Sequence, residues 1–147
     1  MPTMQFHTQI EVTPETVFDL ITDFGNYAQW LPPSNTFRQV APKTKPRVTL
    51  GSTYRDRGPL SVMIGKVIAC EPPNHITFDQ QTSSPLGALG VQIDYRLTAN
   101  PTGTEVQREV IVTTRGVFRL IEAPLFSAIR KENLRILAKM KAYLEGR

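Results

Sequence analysis

The feature that most constrains this chain is a long amphipathic segment, residues 120–145. Its apolar residues recur every three or four positions, so they form one stripe on a helix, and most charged residues lie off that stripe. A stripe of this length needs a broad apolar surface opposite it. One amide lies among its members, which are Phe126, Ile129, Asn133, Ile136, Leu137, Met140 and Leu144.

Most of the remaining chain alternates polar and apolar residues, as strands do when one face of their sheet is covered. Residues 4–12 form the first such strand. Thr13 and Pro14 then predict a helix start, Gly25 predicts its end, and residues 26–30 predict a second short helix. Six further strands are predicted at residues 37–40, 52–57, 60–70, 75–81, 91–97 and 104–114.

Two connections between these strands are predicted from composition alone. Residues 41–47 contain Pro42 and Pro46 between basic residues, which is typical of a loop. Residues 83–90 are small and rich in glycine and serine, so they predict either a flexible connection that could open a cavity or an ordinary long hairpin loop.

The order of these elements predicts the fold class. Consecutive strands joined by short turns pair antiparallel, so we expect an α+β fold in which a sheet packs against the last helix. The chain has 147 residues and shows no internal repeat, so we expect one domain with its own core.

Composition excludes several classes of protein. A content of 40% hydrophobic and 20% charged residues is typical of a globular protein. We see no membrane span or signal peptide, so we expect a cytoplasmic protein without stable membrane insertion. The net charge of +4 comes without interleaved basic and aromatic residues, so we expect no nucleic-acid partner.

Four stretches resemble the START-like superfamily, also called SRPBCC or helix-grip, and within it the polyketide cyclase/dehydrase branch. They are PETVFDLITDFGNYAQWLP at 14–32, GKVIACEPPNHITFD at 65–79, GTEV at 103–106 and ENLRILAKMKAYLE at 132–145. The resemblance implies a six- to seven-stranded curved antiparallel sheet around the C-terminal helix, with a cavity between them for a small apolar ligand. Because the superfamily includes both carriers and enzymes, the resemblance leaves the function open.

Three polar residues lie at positions that predict burial. Asn133 is on the apolar stripe of the last helix, and Arg108 and Tyr95 share the parity of the apolar residues in their strands. Each either completes a structural hydrogen bond or points into a pocket, because a buried polar group needs a partner. A guanidinium in a pocket could hold a carboxylate, phosphate or enolate oxygen, unless a bulge turns Arg108 outward or an acid at the rim pairs with it.

The predicted ligand-binding set also includes apolar and aromatic residues. The resemblance places Trp30 near the cavity mouth, although packing alone would also explain it. Tyr54 and Arg55 point to opposite faces of one strand, and only one of them can face inward. Met63 lies on a strand that is apolar on both faces, so periodicity leaves its orientation open. The set is Trp30, Tyr54, Met63, Phe78, Tyr95, Arg108, Phe126 and Asn133.

The sequence shows no recognisable metal site or activated nucleophile. His7 lies on the polar side of its strand, and His75 follows a turn, so each is interpreted as a surface or hydrogen-bonded histidine. Cys70 is the only cysteine and is interpreted as a small packed residue. No nucleophile elbow or glycine-rich phosphate loop is present, so we expect no metal and no cofactor.

Two functions remain. The favoured one is binding of a small apolar or amphipathic ligand, such as a lipid, an isoprenoid or a polyketide-like compound, by a monomer or weak dimer. Arg108, Tyr95 and Asn133 would then orient the ligand. The alternative is a polyketide cyclase or dehydratase that holds its substrate in the same cavity, where Arg108 would stabilise an enolate and Tyr95 would relay a proton.

Overall fold

The computed structural model describes residues 3–23, 27–31, 39–42, 49–57 and 62–146. Within these residues seven strands form one antiparallel sheet in the order β1-β7-β6-β5-β4-β3-β2. The predicted α+β helix-grip architecture, with two short helices after the first strand, is confirmed. The strands are β1 Thr3–Ile10, β2 Gln39–Pro42, β3 Thr53–Arg57, β4 Val62–Glu71, β5 His75–Ser84, β6 Gly87–Asn100 and β7 Gly103–Gly116, and the helices are α1 Pro14–Thr22, α2 Tyr27–Trp30, α3 Val117–Leu120 and α4 Glu122–Leu144.

Helix α1 begins where the sequence predicts. The backbone N–H of Thr16 donates to Oγ1 of Thr13 at 3.3 Å, and Pro14 is the first helical residue, where its missing N–H costs nothing. The helix ends at Thr22, and the predicted terminator Gly25 lies outside the described residues.

The prediction for residues 83–90 is wrong. β5 continues to Ser84, a turn follows at Pro85 and Leu86, and β6 begins at Gly87. The small residues serve close backbone approach rather than flexibility, because a Cβ on Gly87 would lie 2.4 Å from the backbone oxygen of Arg115. The backbone N–H of Val117 donates to the Leu86 carbonyl at 2.9 Å and continues this contact beyond β7.

The predicted loop at residues 41–47 is also partly wrong. Ala41 and Pro42 belong to β2, where they pair with Arg55 and Tyr54 of β3. A proline is tolerated here because β2 is the last strand in the sheet order, where one side of the strand needs no partner. The remaining residues of that segment lie outside the described part of the chain.

Helix α4 contacts the sheet mainly through its C-terminal half, because its buried residues are Asn133, Leu137 and Met140. The end of the helix is fastened to the end of β1 and to the residue that follows that strand. The Lys141 ammonium donates to the backbone oxygen of Gln9, and the backbone N–H of Glu11 donates to Glu145 Oε2 at 2.9 Å.

The sheet face toward α4 carries the core. Burial alternates along β6 and β7, so every second residue of these strands faces the helix. This alternation fixes which side chains can line the space between sheet and helix. No helix among the described residues is long and apolar enough to span a membrane.

Candidate functional site

The candidate site is a set of polar side chains on the apolar face of the sheet. Tyr95 of β6 and Arg108 of β7 are direct cross-strand partners, and Phe6 of β1 lies opposite Arg108 on its other side. Arg108 is only 6% exposed and Asn133 only 5%. Arg108 therefore faces inward, as the alternation of its strand predicts, and no bulge interrupts the β6–β7 register.

Hydrogen bonds join these side chains into one cluster, the Tyr95–Arg108–Asn133 cluster. Arg108 Nε donates to Asn133 Oδ1 at 2.5 Å, and Arg108 Nη1 donates to the Tyr95 hydroxyl. The Arg108 Cζ lies 4.9 Å from the centroid of the Tyr95 ring, which is a cation–π contact. Asn133 Nδ2 donates in turn to the backbone oxygen of Ile129 at 2.7 Å, which fixes the orientation of the amide.

The charge of Arg108 has no partner of opposite sign in the part of the chain that the structure describes. Its hydrogen bonds go to a neutral hydroxyl and a neutral amide and occupy two of the five N–H donors of a guanidinium. Removing an ion from water costs on the order of several kcal/mol, and two neutral acceptors offset only part of that cost.

An aromatic wall adjoins the cluster. The rings of Tyr54 and Phe78 meet edge to face at 5.9 Å, and those of Phe78 and Tyr95 meet edge to face at 6.2 Å. Tyr54 reaches this position because it lies over Gly65 of β4, where a Cβ would be 2.2 Å from the Tyr54 Cζ. The wall and the cluster together form one continuous buried surface of aromatic rings, hydroxyls and one cation.

The structure resolves two orientations that periodicity left open. Tyr54 is buried and Arg55 is exposed, so the tyrosine faces inward. Met63 is half-buried against the core, on the same side of β4 as the buried Val67, while Ile64 is 43% exposed on the outer face.

The other two predicted residues occupy the same side of the sheet. Trp30 is buried in the core at the end of α2, and Phe126 of α4 is half-buried against the core. The structure therefore joins Tyr54, Phe78, Tyr95, Arg108 and Asn133 through direct contacts. It places Trp30 in the core and Met63 and Phe126 half-buried against it.

One residue of this surface was not predicted from the sequence. Gln80 is buried, and its Nε2 donates to the Tyr54 hydroxyl at 2.7 Å. It shares the parity of Ile76 and Phe78 on β5, so the strand alternation that predicts an inward-facing Arg108 also predicts an inward-facing Gln80.

Two clefts are lined wholly by described residues, with volumes of about 360 and 300 Å³. The larger lies over β1, β7 and β6 and is lined mainly by outward-facing residues such as Gln5, His7, Asp94 and Gln107. The smaller lies over β5, β6 and β7, where Gly90 leaves a groove beside Thr113. Neither occupies the space between the sheet and α4, so the predicted cavity there stays a prediction.

The histidines and the cysteine lie apart from this surface. His75 Nε2 lies 2.5 Å from Asp94 Oδ1, and its Nδ1 lies 3.3 Å from Glu71, whereas His7 is exposed. Cys70 is half-buried, and burial raises the pKa of its thiol above the ordinary value of 9.0. Among the described residues, no three histidine, cysteine or acidic side chains are grouped closely enough to hold a metal ion.

The comparisons with known proteins show the family and the fold. A sequence model of the family described as "Polyketide cyclase / dehydrase and lipid transport" matches residues 1–145. A search of curated proteins finds no match. Among solved structures, protein MLL2253 from Mesorhizobium loti gives a TM-score of 0.75 at 19% identity, covering 98% of this chain and 97% of that one.

Two further solved structures are similar. Ara h 8.0201 gives a TM-score of 0.74 at 13% identity and covers 99% of each chain. DynU16, a protein in the dynemicin biosynthetic locus, gives 0.68 at 17% identity, covering 97% of this chain and 47% of that one. At these identities the likeness shows the fold alone.

Proposed function

Because this chain belongs to the polyketide cyclase/dehydrase and lipid transport family, within the START-like superfamily, we propose that it binds a small amphipathic molecule between the sheet and helix α4. The observation that carries the proposal is the buried Tyr95–Arg108–Asn133 cluster beside an aromatic wall. A purely structural core would gain more from apolar residues at these positions, since burying a charge is costly. The cluster is suited to orient the polar end of a ligand.

The apolar part of the ligand would lie against the aromatic wall and helix α4. The N-terminal half of α4 contains no fully buried residue, and Phe126 and Ile129 on its apolar stripe are half-buried. A ligand that covers these side chains would gain about 25 cal/mol per Å² of apolar surface removed from water. The polar cluster would set the ligand's direction and this burial would supply most of its affinity.

The direct test uses a neutral apolar probe and the single tryptophan. Trp30 is the only tryptophan in the chain and is buried in the core. N-phenyl-1-naphthylamine bound between sheet and helix would lie close enough to Trp30 to accept its excitation energy. We expect saturable probe emission on excitation of Trp30, and native mass spectrometry of the protein from its own host should show a retained small molecule.

The matched control is Trp30→Phe. This variant should lose the energy transfer but keep the probe emission that direct excitation gives. Probe emission that does not saturate would contradict the proposal. So would emission that, on excitation at the tryptophan wavelength, is the same in Trp30→Phe as in the unaltered protein, because the probe would then lie elsewhere.

A second candidate function is catalysis of a cyclisation or dehydration. The contact between the Arg108 guanidinium and the Tyr95 hydroxyl favours it, because it places a cation and a proton donor at one point of an apolar surface. Arg108 would stabilise an enolate oxygen, and the Tyr95 hydroxyl would move a proton. Turnover of a poly-β-ketone substrate that is lost in Tyr95→Phe, with probe binding retained, would support this function. Absence of turnover across a panel of such substrates would reject it.

A further inference from the structure

We infer that the ligand is an apolar carboxylic acid, whose carboxylate meets the guanidinium of Arg108. The inference rests on the proposed function and names the class of molecule that the site takes. Its basis is a charge imbalance: Arg108 is 6% exposed, yet both of its hydrogen bonds in the described structure go to neutral groups.

Two of the cations that form ion pairs among the described residues contrast with Arg108. Arg135 makes two hydrogen bonds to the carboxylate of Glu132 at 3.0 Å, and its side chain is 24% exposed. Lys141, at 38%, lies 2.9 Å from Glu145. These partly exposed cations have an acid beside them, whereas the buried Arg108 does not. The missing negative charge is therefore expected to come from outside the chain.

The free donors of Arg108 indicate the kind of anion. Three N–H groups remain without a partner among the described residues, two of them on Nη2. A carboxylate can accept from more than one N–H of the planar guanidinium, and such pairs are stronger and more directional than bonds to neutral oxygens. Because the Tyr95 ring lies against the guanidinium and Phe78 packs against that ring, we expect the atoms next to the carboxylate to be apolar.

The neighbouring groups reinforce this choice. The Tyr95 hydroxyl accepts from Arg108, so its own proton remains available to donate to a second carboxylate oxygen. Asn133 Nδ2 already donates to the Ile129 carbonyl, so its amide keeps the acceptor oxygen on Arg108. The site thus offers donors to the ligand, as an anion requires.

The test compares acids with their methyl esters, which differ by one charge at nearly constant shape. Straight-chain acids, with dodecanoate as the central member, and their methyl esters are titrated against the probe N-phenyl-1-naphthylamine at physiological salt. We expect at least one acid to bind about tenfold or more tightly than its ester, in line with a buried charge-assisted pair. Arg108→Met should remove this preference by lowering the affinity for the acid to that of its ester.

The controls separate the buried charge from net charge. Arg96→Met removes one cation from the outer face, where Arg96 pairs with Asp94 at 3.2 Å, and should leave the acid preference intact. If Arg108→Met fails to fold, Arg108→Lys keeps a cation without the planar fork and should weaken the preference. High salt should reduce it only slightly, since buried pairs are poorly screened.

Two outcomes would overturn the inference. One is an ester that binds as tightly as its acid at every chain length, and the other is an acid series that fails to displace the probe at all. In either case, saturable energy transfer from Trp30 to the neutral probe would still support the proposed function. Failure of the probe itself to bind would contradict that function instead.

Discussion

Arg108 Nε and Asn133 Oδ1 lie 2.5 Å apart, and this contact joins the middle of helix α4 to the sheet inside the core. It uses a neutral amide where a carboxylate of almost the same shape would satisfy the guanidinium better. With an amide at this position, the positive charge of Arg108 has no negative partner among the described residues, as the proposed acid-binding site requires.

Asn133→Asp tests that consequence. The new carboxylate would pair with Arg108 and repel an incoming acid, so we expect affinity for dodecanoate to fall by about tenfold or more. Affinity for methyl dodecanoate should change little. Titration of both ligands measures the difference between the two affinities. Asn100→Asp, at the exposed C-terminal end of β6, is the matched control and should leave both affinities unchanged. Equal loss for acid and ester would indicate altered packing instead of charge.

Gly65→Ala tests the placement of the aromatic wall. A Cβ at this position would lie 2.2 Å from the Tyr54 Cζ, so the ring must move from its buried site. We expect the free energy of unfolding to fall by roughly 1–3 kcal/mol, as overpacked cores show, measured by urea denaturation. In the background of Tyr54→Leu the same substitution should cost much less. An equal cost in both backgrounds would show that Tyr54 does not restrict this position.

Glu145→Gln tests how α4 is fastened to the first strand. Glu145 Oε2 accepts from the backbone N–H of Glu11 and from Lys141, each at 2.9 Å. Removing its charge should lower the free energy of unfolding by about 1–2 kcal/mol and speed amide exchange at the end of α4. Glu109→Gln, which alters an exposed contact with Gln5, should cost less than about 0.5 kcal/mol. If the two substitutions had comparable effects, the Glu145 contacts would not be what fastens the end of α4.

Alkylation tests the environment of Cys70. Because burial raises the pKa of this thiol above 9.0, the folded protein holds less thiolate at neutral pH than the unfolded chain does. Its rate of reaction with iodoacetamide should therefore rise at higher pH in the folded protein than in urea. The chain has one cysteine, so the rate can be followed by mass without a second site. If the alkylation rate of the folded protein rises at the same pH as that of the unfolded chain, or at a lower pH, the result would contradict burial of the thiol.

The sequence predicts the site only where one face of an element differs from the other. Arg108 and Tyr95 were found because their strands alternate clearly, and Asn133 because a helical stripe is otherwise apolar. Met63 could not be oriented because its strand is apolar on both faces, with Ile64 and Ile68 exposed.

Other features depend on contacts that no local pattern contains. The partners of Arg108 lie 13 and 25 residues away, so its pairing depends on strand register and helix position. Residues 83–90 were misassigned because their glycine and serine content is typical of loops, while their role is to allow close strand approach at Gly87. Composition shows that small residues are needed in this segment, but it does not show which neighbouring strand requires them.

The most direct test of the central claim is nitrogen–proton NMR of the Arg108 side chain. The Arg108→Lys variant, which lacks these groups, assigns the Nε–H and Nη–H signals. Saturating dodecanoate should shift the Arg108 signals, while methyl dodecanoate should leave them nearly unchanged. Arg108 signals that stay in place while dodecanoate saturates the protein would contradict the account, because the ligand's charged end would then lie elsewhere.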